Sequence, residues 1–132
     1  MERVANWESK LNKAIVEMRS KTFEYGVADC ALMVCDVVKA ITGVDPGDNV
    51  RETYDETTAP NLEETAERIA IDLNIEEVEP SRARRGDVVL MNVKGHDVLG
   101  VVDMTGSKAV FPLVGGGVAR WPALKSRRAW RI

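Results

Sequence analysis

The sequence predicts an α+β fold. Apolar residues recur at helical spacing up to about residue 74, and from Gly86 onward they fall in short β-branched runs separated by turn residues. Helical stretches and strand runs do not interleave, which points to an antiparallel sheet packed on the preceding helices. No repeat, low-complexity segment or linker interrupts the 132 residues. A single domain over 1–132 is expected, helical over about 1–80, with an antiparallel five-stranded sheet over about 86–132.

The first helix begins at Asn6 and carries Trp7, Leu11, Ala14, Ile15 and Met18 on one face before fading at Arg19, Ser20 and Lys21. The second opens at Cys30, capped by Asp29, whose carboxylate can accept from the free amides of the first turn. Between Ala31 and Ile41 its only polar residues are Asp36 and Lys39, so it is expected to be buried nearly all round. It stops at Gly43, and the turn Asp45-Pro46-Gly47-Asp48 follows. Residues 50–59 are polar and mixed, a long surface connection. A third helix over about Asn61–Asn74 places Leu62, Ala66, Ile69, Ala70 and Leu73 inward. Strands are expected over 87–93, 98–104, 108–114, 117–121 and 128–132, linked in a meander, with Asp87 fixing the turn into the first.

Composition narrows the function classes. A net charge of −3 gives nucleic acid no basic face to meet. No apolar run approaches the roughly 20 residues of a membrane span, and residues 1–7 lack the layout of a signal peptide, so synthesis in the cytoplasm is expected. Cys30 and Cys35 point about 140° apart on one helix and cannot form a disulfide with each other. One histidine and no Cys-x-x-Cys leave no metal site, and nothing indicates a cofactor.

Chemistry concentrates at Phe23-Glu24-Tyr25-Gly26-Val27-Ala28-Asp29-Cys30. A cysteine at a helix N-terminus sits at the positive end of the macrodipole, where a thiolate is favoured and the thiol pKa is expected to fall. Cys30 is the nucleophile candidate and Asp29 the helix cap beside it. His96, in Lys94-Gly95-His96-Asp97, is the sole imidazole available as a base.

These residues, in this order, resemble the NlpC-type cell-wall peptidases, a branch of the papain-like fold. Phe23-Glu24-Tyr25-Gly26 is similar to the aromatic-glycine segment of that family, and Asp29-Cys30 to its nucleophile dipeptide. Arg85-Gly86-Asp87-Val88-Val89-Leu90 resembles the strand that follows, and Leu99-Gly100-Val101-Val102 the histidine strand. The resemblance implies a papain-like NlpC-type fold and a cysteine peptidase or amidase acting on peptidoglycan stem peptides. With the terminal Arg128-Ala129-Trp130-Arg131-Ile132, it is closest in kind to small proteins of phage and prophage tail clusters, which implies tail or baseplate proteins as partners and incorporation in the virion tail.

The departures matter as much. Val98 stands at the family's histidine position, and His96, two residues earlier, is about 6–7 Å away along the strand. Ala109, Val110, Phe111, Pro112 and Leu113 offer nothing to orient an imidazole. Ala31-Leu32 replaces the family's Ser-Gly, and Phe23 falls near a family tyrosine. Two functions are therefore expected. One is a tail-tip or baseplate domain with an incomplete catalytic set; the other is an active peptidoglycan hydrolase with Cys30 as nucleophile and His96 as base. Partner surfaces are expected at Arg82–Arg85, at residues 50–59, and along an exposed final strand ending Trp130-Arg131-Ile132.

Overall fold

Asp29 caps the second helix as expected, accepting from the Leu32 amide at 2.9 Å, and Gly43 ends that helix with φ 80°, a conformation glycine adopts without strain. The computed structural model describes residues 1–132. It contains helices α1 (Trp7–Ser20), α2 (Cys30–Thr42) and α3 (Leu62–Asp72). After them come strands β1 (Glu77–Val78), β2 (Val88–Val93), β3 (His96–Val102), β4 (Lys108–Pro112), β5 (Val118–Pro122) and β6 (Arg128–Trp130). The fold is α+β, with one antiparallel sheet ordered β1-β6-β2-β3-β4-β5.

Two apolar layers follow from strand alternation. Val88, Leu90, Leu99, Val101, Val110 and Trp130 face the helices and pack with Leu11, Ile15, Met18, Met33, Val37, Val38 and Ile41. The opposite face carries Val78, Val89, Met91, Val102, Ala109, Phe111 and Ala129, with Ala123 packed against them. Helix α2 is the central element, with Leu32, Met33, Val37, Val38 and Ile41 all essentially inaccessible to solvent.

Four sequence expectations require correction. The sheet has six strands, not five: β1 is two residues long and becomes a strand only because Glu77 and Val78 pair with Trp130 and Ala129. The strands are not a simple meander, since β6 returns to lie between β1 and β2. The final strand is therefore not a free edge, and Trp130 and Ile132 are buried, so they present no partner surface. Finally, β3 starts at His96, because Lys94 and Gly95, both at positive φ, close a two-residue hairpin.

Asp87 is fully buried. It accepts from the Arg84 amide (2.9 Å), the Ile132 amide (3.0 Å), Arg3 (3.2 Å) and Arg131 (3.1 Å). It fixes the approach to β2, as expected from sequence, and also ties residues near both ends of the fold to the sheet.

Candidate functional site

The first turn of α2 lies at a cleft, and Asp29 organises it. Its Oδ1 caps the helix through Leu32, while its Oδ2 accepts from the Gly26 amide at 3.0 Å and from the Tyr54 hydroxyl. This carboxylate is buried, and three donors satisfy it, as a charge removed from water requires. Tyr54 belongs to the 50–59 connection, which lies across the aromatic-glycine turn: the Glu52 amide donates to the Gly26 carbonyl at 2.7 Å. Gly26 sits at φ 83°, and a Cβ there would meet the Tyr54 carbonyl oxygen at 2.0 Å. Only glycine fits between turn and connection.

The cleft has a volume of about 490 Å³, within the roughly 300–1,000 Å³ of small-molecule sites. Cys30 and Leu99 line it, with Tyr25, Tyr54, Pro112 and Val114 among the surrounding side chains, and most of its wall is apolar. The cleft also meets β3 where that strand parts from β4. The two pair only at Val101 with Val110 and at Val102 with Ala109.

Cys30 is half-buried, and its thiol does not follow the helix-terminus expectation. Burial pushes its pKa up from 9.0 to about 11; the Leu99 amide, directed at the sulfur, pulls it down, and the Asp29 carboxylate pushes it up again. Desolvation and a neighbouring anion outweigh the macrodipole, so the thiol is protonated at neutral pH. Cys35, buried on the next turn, is raised to about 12 by burial first. Both cysteines are free.

His96 lines the same cleft but is exposed; its backbone pairs with Val93 in the sheet, and its imidazole makes no hydrogen bond with Cys30 or any other side chain. Leu99 and Val101 face the helices, whereas Val98 packs with the cluster on the opposite side of the sheet. Val98 and His96, which shares its strand parity, nevertheless both reach the wall of the cleft. Ala109, Val110, Phe111 and Pro112 are buried. Asp97 is tied to Arg127 at 3.0 Å. No group of three or more His, Cys, Asp or Glu side chains is placed to hold a metal ion, and no helix is long and apolar enough to cross a membrane.

Sequence reasoning missed Tyr54, which lies 25 residues beyond Asp29 in a connection read as surface. Its one signal was an aromatic residue isolated in the otherwise polar run 51–58. A family model described as a domain of unknown function (DUF6950) matches residues 2–132. No significant match to a curated protein was found.

Proposed function

The chain belongs to the DUF6950 family, and we propose that it is an NlpC-like domain of a phage or prophage tail that retains the papain-like cleft for binding and not for hydrolysis. One observation carries this reading: Cys30 opens α2 at the cleft, yet no base is bonded to it and its pKa is raised to about 11. Cysteine hydrolysis requires a thiolate and a base within hydrogen-bond reach. The cleft supplies neither in its present arrangement, while its apolar wall suits a bound partner. The tail or baseplate setting, and a role in tail assembly or host-wall engagement, rest on the resemblance of Asp29-Cys30, Gly86-Asp87-Val88 and Leu99-Gly100-Val101 to the NlpC-type pattern.

A second reading, an active peptidoglycan amidase or peptidase, is favoured by His96 lining the same cleft as Cys30. Purified protein incubated with peptidoglycan sacculi separates the two. We expect no release of muropeptides by mass spectrometry. Release by the wild-type chain that Cys30→Ala abolishes would establish the enzyme instead.

A further inference from the structure

Helix α3 covers the cleft without filling it. Only Thr65 and Ala70 of this helix are buried, while Leu62, Ala66 and Ile69 on its apolar face are half-buried. The inward side chains of α2, by contrast, are closed off almost entirely. The difference has a physical cause: Leu62, Ala66 and Ile69 border the cleft instead of meeting packed side chains. Across it stand Val34 and Val38 of α2, and Val88, Leu99 and Trp130 of the sheet. Small side chains at Ala31, Ala66 and Ala70 leave width between these elements. Ion pairs fasten the edge of the helix: Arg128 with Glu63 (3.2 Å) and Glu67 (2.8 Å), and Arg127 with Glu63 (3.2 Å). Pairs this open to water are screened by salt and hold weakly, so α3 can adjust to an occupant.

The space is long and poor in charge. It reaches from His96, at the start of β3, to the level of Val88, which pairs with Val101. Five residues of strand separate those levels, roughly 17 Å at about 3.4 Å per residue. Spread over that length, the volume of about 490 Å³ gives a mean cross-section of about 29 Å² (490/17), a passage and not a chamber. No lysine, arginine or glutamate lines it, and its only charged side chains are Asp29 and Asp97. Asp29 has its three donors, and Asp97 is paired with Arg127. The Thr65 and Tyr54 hydroxyls donate to the Asn61 carbonyl and to Asp29. The two ends differ. Val88, Trp130 and Ile132 at the inner end are buried, whereas His96 and Val114 at the mouth are exposed.

We infer that this passage is a binding site for a single aliphatic chain carrying an uncharged polar head. The chain lies between α3 and the sheet, from Leu99 inward to Trp130, and the head stays in water at the mouth beside the His96 imidazole. Hydrocarbon fits because each methylene gains by leaving water and the inner wall offers only apolar side chains. A charged group does not fit inside, since no cation on the wall could neutralise an anion and both carboxylates already have their donors. An isolated ring would leave most of the length unused, because a cavity of about 150 Å³ already holds benzene. This deepens the binding function proposed above and rests on it, naming the ligand's chemistry. Such a ligand needs no activated thiol at Cys30.

The test is a ¹⁵N-¹H NMR titration of the full chain with 1-hexanol, 1-octanol and 1-decanol, each below its solubility limit. We expect saturable shifts centred on the Trp130 indole and on the amides of Ala66, Ile69 and Leu99. Affinity should rise about fifteenfold for every two methylenes added, the gain from burying them. Decanoate should bind at least tenfold more weakly than 1-decanol. Ala66→Phe, which fills the passage, should abolish the shifts while its own spectrum stays dispersed, and Arg68→Ala, on the exposed face of α3, should bind as the wild type does. The alcohol series on the wild-type chain decides the matter whether or not Ala66→Phe folds. No shifts with 1-decanol, shifts centred elsewhere, affinity independent of chain length, equal binding of decanoate, or unchanged binding by a folded Ala66→Phe would overturn the proposal. Binding of 1-decanol together with muropeptide release would remove the non-hydrolytic reading and leave the aliphatic site; no binding and no release would do the reverse.

Discussion

Replacing Asp29 removes one acceptor that serves three separate parts of the site, and the size of the loss can be worked from its contacts. In Asp29→Ala the Leu32 amide loses its helix cap, which costs about 1 kcal/mol. The Gly26 amide and the Tyr54 hydroxyl each lose a charged acceptor in a buried setting, about 1.5 kcal/mol apiece at the low end for such bonds. The total is about 4 kcal/mol, a large fraction of the stability of a domain this size. Asp29→Asn separates the components. An amide oxygen in the Oδ1 place still caps Leu32, and the Tyr54 hydroxyl can turn to accept from the new NH₂ group. The Gly26 amide is then left facing a donor, so the loss should be about 2 kcal/mol. Tyr54→Phe removes only one of the three bonds and should lose about 1.5 kcal/mol. Urea unfolding followed by circular dichroism would rank the three variants, with Asp29→Ala the least stable. Asp29→Ala within about 1 kcal/mol of wild type, or Asp29→Asn as damaging as Asp29→Ala, would refute the assignment of one oxygen to the cap and the other to the turn and Tyr54.

Two further outcomes are expected. With the Cys30 pKa raised to about 11 from 9.0, the native protein at pH 8 holds roughly one-hundredth of the thiolate of an unperturbed thiol, and iodoacetamide labelling read by mass spectrometry should be slower by that factor than in urea. Because the folded value lies above the unfolded one, this thiol's contribution to stability is present below about pH 9 and is lost as pH rises toward 11; rapid Cys30 labelling at pH 7 would contradict both statements. Val98→His, which places a histidine where the NlpC-type pattern has one, should neither speed Cys30 labelling at pH 7–8 nor produce muropeptide release, because the side chain at position 98, although at the wall of the cleft, packs against the apolar cluster on the sheet face away from α2. Acceleration of labelling would show that the strand can turn the imidazole toward the sulfur.

The sequence by itself determined the α+β class, the buried second helix and its two caps, because each depends on residues within one or two turns of chain. Asp29 reaches Leu32 three residues on, and Gly43 bonds back to Lys39. The β2–β5 strands were legible for the same reason: alternation and turn residues are local signals. What only the tertiary structure decided depends on residues far apart. Strand β1 exists because β6 lies beside it, and the burial of Trp130 and Ile132 follows from that return. Position 29 could be recognised as a cap, but its bond to Tyr54 spans 25 residues and leaves no periodic trace. The thiol pKa went the other way from the local rule. A helix N-terminus lowers it wherever the sulfur remains solvated; here packing against β3 and the carboxylate of Asp29 withdraw that solvation and place a negative charge beside it. Spacing along a chain states which side chains share a strand face; which sheet face the helices cover is set by packing, and that choice packs Val98 with the cluster on the face away from α2.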